Sequence, residues 1–269
     1  MTDALLHYGR EGRTLAHIPV IDIHAHIGKW AYNAPVTMEE RIVMMDRVGV
    51  DVTIISSSRA LDGDIVVGNT AVRDAIARFP ERVRGYAHVS ANYPELIMPE
   101  LERCFASSGF VGIKLYMTGI PFDDPRFDPV WAFAAERGTP ILSHTWAGNL
   151  NQFDRVAERF PSIPFIAAHA GSELTYQKYI DAALRAPNLY LDLTYSRDHP
   201  NMIEHLAATV GAGRLLWGSD EPLLSMTHQV SKVLFACLTD DDKHQILYGT
   251  ARRIFGPEII PAKYGAMVE

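Results

Sequence analysis

A single closed (β/α)8 TIM barrel with a short C-terminal helical extension is the α/β fold that this sequence predicts, and three observations predict it. Eight short apolar runs alternate with longer amphipathic stretches, the pattern of parallel βαβ units. The length, 269 residues, is that of one such barrel. No Gly/Ser linker, low-complexity stretch or compositional break divides the chain, so residues 1–269 read as one domain. The competing arrangement is an open doubly wound sheet. The chain has neither a GxGxxG after its first apolar run nor a GxxxxGK[ST], which removes the usual phosphate cradles of that class.

The strands are read in order at 20–26 (VIDIHAH), 52–57 (VTIISS), 83–89 (VRGYAHV) and 110–116 (FVGIKLY). PILSHT at 140–145, PFIAAHA at 164–170, LYLDLTY at 189–195 and RLLWGSD at 214–220 complete the set. The stretch after the first strand, TMEERIVMMDRVG, puts Met38, Ile42, Met45 and Val48 at helical spacing. Thr37 and Glu40 form its capping box. NTAVRDAIARFP, PELIMPELERCFASSG, DPVWAFAAERG, NLNQFDRVAERFP, SELTYQKYIDAALRAP, MIEHLAATVG and THQVSKVLFACL follow the later strands, several ending in Gly or Pro. DDKHQILYGTARRIFG reads as one or two terminal helices.

Composition narrows the function. With 25 basic and 32 acidic residues the net charge is −7 and no basic block stands out, which argues against nucleic acid as a partner. No apolar run reaches the roughly 18–20 residues of a membrane span, and the N-terminus lacks a signal-peptide core. A cytoplasmic location is expected. Cys104 and Cys237 form no CxxC pair and are expected to pack as small buried residues.

In a barrel the site lies where the strands end. The first strand ends His24-Ala25-His26; His144, His169 and Asp220 end the fifth, sixth and eighth. Residues i and i+2 share a strand face, so His24 and His26 project together, about 6.6 Å apart. Ile21, Ile23 and Ala25 then face the helices. Each histidine alone could be satisfied by a backbone carbonyl, and Asp220 alone could be a turn residue. Together, imidazoles and one carboxylate suit a divalent ion with an open coordination position. On the fourth strand Val111, Ile113 and Leu115 should face the helices, which turns Gly112, Lys114 and Tyr116 inward. An inward ammonium must be paired, neutralised or chemically altered. Asp22, His88, Asp192 and Thr194 share the inward parity and are candidates to orient ligands or fill the barrel. Arg59 can meet an anionic substrate or remain a solvated loop residue, and Tyr116, Trp146 and Tyr195 can wall a pocket.

IDIHAHIG, GFVGIKLY, PILSHT, AAHAG, WGSDEP and ILYGTARRIFG, in that order, resemble the amidohydrolase superfamily. The closer likeness is to its amidohydrolase-related branch, which includes aminocarboxymuconate-semialdehyde decarboxylase. The resemblance spans residues 18–256 and implies a metal held by His24, His26, His144 and Asp220. It makes His169 a further ligand or an acid/base group, and Asp220 the proton carrier. One or two ions are implied: zinc first, with manganese, iron or cobalt also compatible. Lys114 lies on the strand where some superfamily members carry a carbamate bridge. Glu221, after Asp220, departs from many relatives. A homodimer is expected from the likeness.

The leading expectation is metal-assisted hydrolysis of a small carboxylic ester, lactone or amide. The alternative is metal-dependent, non-oxidative decarboxylation of a small aromatic or muconate-type acid. The same ligands serve both, and a basic clamp for the carboxylate would tell them apart; Arg59 is the candidate. A TatD-like nuclease is disfavoured by Lys114, where that group usually has glutamate, and by the charge. A non-catalytic scaffold is the remaining rival.

Overall fold

The computed structural model describes residues 4–30, 36–117, 119–145, 150–171, 176–195 and 201–267. Its strands are β1 (Ile21–Ile27), β2 (Val52–Ser57), β3 (Val83–His88), β4 (Phe110–Leu115), β5 (Ile141–Ser143), β6 (Phe165–Ala167), β7 (Leu189–Asp192) and β8 (Leu215–Leu216). They form one eight-stranded sheet in sequence order. Every adjacent pair is parallel, and a helix separates each strand from the next. The sheet closes on itself beyond the regular ladder. Ile23 N–H donates to the Trp217 carbonyl at 3.1 Å, Asp220 N–H to His24 at 2.7 Å and His26 N–H to Glu221 at 2.7 Å. The predicted (β/α)8 barrel is the fold observed. Among the described residues no helix is long and apolar enough to cross a membrane.

Two apolar layers hold it together. The outer one packs Ile113, Leu115, Phe165 and Leu191 against helix residues such as Trp131, Phe153 and Tyr179. The inner one fills the barrel where the strands start: Ile21, Ile23, Val52, Ile54, Tyr86, Leu142, Ile166 and Leu216. Phe255, Ile259, Ile260 and Tyr264 of the C-terminal extension cover this floor.

Local irregularities overturn part of the face assignment. Ile21 and Ile23 lie in the inner layer, whereas Ala25 faces the helices as expected. The cause is a register shift between Asp22 and Ala25, which puts an extra residue into β1 opposite β2. Val111 likewise packs on the inner layer, because β4 carries an extra residue where Gly85 pairs with Phe110 and Tyr86 with Gly112. Beyond that bulge Ile113 and Leu115 do face the helices, and Lys114 is inward and buried.

Helices at Ala4–Glu11 and Ser58–Leu61 were not foreseen from the sequence. Cys104 is buried but Cys237 is exposed, which corrects the expectation that both are core residues. Cys237 follows the end of the helix Met226–Phe235, past its apolar face.

Two predictions follow from this packing. Phe255 meets Tyr86 edge-on with ring centroids 6.1 Å apart, and the Tyr86 hydroxyl donates to the Ile23 carbonyl at 2.8 Å. Phe255→Ala should lower stability by about 3 kcal/mol or more, read from urea unfolding; a loss below about 1 kcal/mol would show that the floor does not depend on this cover. Burial pushes the Cys104 thiol up to about 12. Titration of native protein with a disulfide reagent should therefore report one fast thiol, Cys237, and a second after denaturation.

Candidate metal centre

The β1–β8 seam builds the centre. Closure ties Asp220 N–H to the His24 carbonyl, so the carboxylate lies over the two β1 imidazoles. Asp220 Oδ1 is 3.2 Å from His26 Nε2 and 3.8 Å from His24 Nε2. The approach needs glycine at 218, where a Cβ would lie 2.7 Å from His24 Cβ and 2.5 Å from Thr194 Oγ1. β5, β6 and β8 end at Ser143, Ala167 and Leu216, so His144, His169 and Asp220 follow the strands rather than end them. The chain leaves the ladder sharply there: His169 and Asp220 adopt left-handed φ of 65° and 56°, a strained choice for residues with side chains.

The imidazoles are individually oriented. The Asp192 carboxylate accepts from His24 Nδ1 at 2.7 Å, which leaves Nε2 as the lone-pair nitrogen. Asp192 is itself held by the Thr194 N–H at 2.9 Å and the Thr194 hydroxyl. His26 Nδ1 is 2.8 Å from Ser56 Oγ, which leaves its Nε2 towards Asp220. His144 stands apart from the His24–His26–Asp220 triangle. Its Nδ1 is 3.0 Å from His169 Nε2, and the His169 ring lies 5.1 Å from that of His24. Asp22 turns to Thr53 Oγ1, Ser219 Oγ and the backbone N–H groups of His24 and Ser219.

Lys114 Nζ lies 2.8 Å from His24 Nε2. Burial pushes its ammonium down, and the Asp220 and Asp192 carboxylates pull it partly back. Burial, then the Lys114 charge, holds His24, His26 and His144 below the ordinary imidazole range, His144 at about 3. Burial and the neighbouring imidazoles of His144 and His24 do the same to His169. Neutral imidazoles are the form that binds a metal. Burial raises Asp220, and its Oδ1 is buried without a hydrogen-bond partner among the described residues. An orphaned carboxylate oxygen facing the Nε2 atoms of two histidines fits a divalent cation.

The cavity above these groups is about 350 Å³ and is lined by Trp30, Tyr116, Met117, Tyr195 and Leu223 together with His26, His144, His169 and Asp220. Tyr116 and Tyr195 thus take the wall positions expected of them. Trp146 lies outside the described residues. Arg59 does not reach the cavity: its helical turn carries it outward to Asp64, at 2.7–2.8 Å. Glu221 points away from the site to Arg41 Nε, at 3.3 Å. Buried Arg41 also donates to the carbonyls of His26 and Glu221, stapling the two sides of the seam. Sequence reasoning missed it, although Arg41 falls on the Met38–Met45 stripe, where a charge needs a reason. Ser56 was missed as well; its signal was a hydroxyl at the end of an otherwise apolar strand. Lys232, half-buried, donates to the Leu193 carbonyl at 2.8 Å and lies within electrostatic reach of Asp192 and Asp220.

Comparison with known proteins gives a consistent picture. The curated gamma-resorcylate decarboxylase of Polaromonas sp. (strain JS666 / ATCC BAA-500) is 22% identical over 81% of this chain and 86% of its own. A dihydroxybenzoic acid decarboxylase from Polaromonas sp. JS666, solved with manganese and the inhibitor 2-nitroresorcinol, has a TM-score of 0.73 at 18% identity, covering 88% of this chain and 97% of that one. The 5-carboxyvanillate decarboxylase of Sphingomonas paucimobilis has a TM-score of 0.70 at 17% identity, covering 88% and 99%. Decarboxylases, not hydrolases, are thus the curated relatives, and this overturns the expectation of ester, lactone or amide hydrolysis. The donor set serves both reactions, so the ligand pattern carried no information on that choice. The amidohydrolase family model matches residues 21–256, and the chain is an enzyme fold belonging to that family.

Proposed function

We propose that this chain is a metal-dependent, non-oxidative decarboxylase of a small hydroxylated aromatic acid. The observation that carries the reading is the aromatic-walled cavity set directly over the His24–His26–Asp220 cluster. Its support is the match to gamma-resorcylate decarboxylases over 81% of the chain. His24, His26, His144 and Asp220 would hold one divalent ion, with manganese favoured by its presence in three related structures. When bound, that ion supplies Lewis-acid polarisation of substrate oxygens.

The chain's own residues supply the rest. Trp30, Tyr116 and Tyr195 enclose a flat ring and keep water out. In the reaction the bond from ring to carboxylate breaks, its electron pair stays on the ring carbon, CO2 leaves and a proton replaces it. Asp220, which lines the cavity where the ring would sit, hands that proton to the ring carbon. His169, 3.0 Å from His144, steadies the developing negative charge beside the ring. Asp192 keeps the His24 imidazole in the tautomer whose Nε2 faces the cluster, and Lys114, 2.8 Å from that nitrogen, would turn its ammonium away from it when the ion is held there.

Two measurements test this. After loading with Mn2+ and desalting, elemental mass spectrometry should find one ion per chain. His24→Ala and Asp220→Asn should each weaken binding at least about tenfold with the far-UV circular dichroism unchanged. Two ions per chain would instead make Lys114 a carbamate bridge and replace the single-ion site. Loaded protein incubated with 2,6-dihydroxybenzoate or 5-carboxyvanillate should release CO2, and Asp220→Asn should lower kcat at least about a hundredfold. No CO2 from these or other hydroxybenzoates would overturn the assignment.

A further inference from the structure

Beside the metal-site cavity lies a second, smaller one of about 120 Å³. Tyr116 and Met117 line both, so the two cavities adjoin. Its other polar lining comes from Asp62, His88, Ser90, Asn92 and Tyr93. No lysine or arginine is among the described residues that line it. With the Asp62 carboxylate and no such cation, the lining is unsuited to a second anion.

His88 is the residue with no assigned task. It ends β3 and is 2% exposed. Its backbone is clamped on both sides by buried Asn69, which accepts from His88 N–H at 2.9 Å and donates to its carbonyl at 2.9 Å. Asn69 is held in turn by Glu100 at 3.0 Å, and Glu100 by Arg103 at 2.7–2.8 Å. A carbonyl can only accept, so the 2.9 Å contact of His88 Nδ1 with the Lys114 carbonyl makes Nδ1 the protonated nitrogen. Nε2 is then a lone-pair acceptor, with no hydrogen-bond partner among the described residues. Burial holds the ring neutral, its pKa down at about 4. A buried network of this extent fixes the direction of an acceptor, which a packing role alone does not require.

We propose that this side cavity is the subsite for a hydrogen-bond-donating ring substituent, a hydroxyl or amine, of the aromatic acid bound at the metal centre, with His88 Nε2 as its acceptor. The bound acid itself rests on the function proposed above. A site built around an acceptor discriminates against an isostere that cannot donate, because the acceptor is left unpaired.

The test uses binding rather than turnover. Isothermal titration of the Mn2+-loaded protein compares 3-hydroxybenzoate with 3-methylbenzoate and 4-hydroxybenzoate with 4-methylbenzoate, pairs nearly equal in shape. At one ring position the hydroxy acid should bind about tenfold tighter or more. His88→Leu should erase that preference, and His88→Gln, whose amide oxygen still accepts, should retain part of it. As a check that needs no variant, in protein loaded with diamagnetic Zn2+ the nitrogen-15 resonance of His88 Nε2 should move upfield with the hydroxy acid and stay in place with the methyl acid. No hydroxyl preference in either pair, a preference untouched by His88→Leu, or an unmoved resonance would overturn the subsite. If a His88-dependent preference is found but no acid releases CO2, the decarboxylase reading falls and the subsite stands. If CO2 is released without the preference, the reverse holds.

Discussion

The seam between β1 and β8 is where architecture and chemistry meet. Three backbone hydrogen bonds across it, from Ile23, Asp220 and His26, complete the barrel. Two of those donors belong to residues whose side chains form the cluster, and a third cluster residue, His24, accepts one of the bonds. Any error in closing the barrel would therefore displace the site by the same amount. Several otherwise costly choices serve this seam. Asp220 takes a left-handed backbone, a conformation that costs on the order of 1–3 kcal/mol for a residue with a side chain. Gly218 has no room for a Cβ. Arg41 gives up hydration to bridge the carbonyls of His26 and Glu221.

Electrostatics around the seam follow from burial more than from pairing. Imidazoles, an ammonium and carboxylates share a space closed to water, and each is pushed towards its neutral form. Such a cluster is a poor source of stability, since replacing a buried charged set as a whole by well-packed apolar groups is often neutral or favourable. Its order comes instead from directional contacts: Asp192 on His24, Ser56 on His26, Lys114 on the other His24 nitrogen. Preorganised polar groups in a dry cavity are the arrangement in which charge development in a transition state is best stabilised.

The alternation of apolar runs and amphipathic stretches made the fold legible, and the positions of His24, His26, His144, His169 and Asp220 made the site legible. What escaped has a physical reason in each case. The bulges in β1 and β4 leave no mark in a pattern of alternating residues, so the faces of Ile21, Ile23 and Val111 were misassigned while those of His24, His26 and Lys114 came out right. Arg59, after a strand, could be read as a substrate contact or as a solvated residue, and a short helical turn settled its direction outward to Asp64. Arg41 was hidden in a helix whose apolar stripe was read without asking what a guanidinium did there. The reaction itself was beyond reach, because hydrolysis and decarboxylation call on the same donors.

The cover over the barrel floor has a consequence for how the chain comes into being. Ile21 and Ile23, from the first strand, pack in one layer with Ile254, Phe255 and Ile260, from the last elements. Contacts between the two ends of a polypeptide are the latest to become available during synthesis, and a topology rich in them folds slowly. Until residues 254–264 have been made and freed, the apolar floor of the barrel has no cover. For that interval the floor is a surface that chaperones can bind or that can aggregate, and docking of the 254–264 segment is the event that buries it.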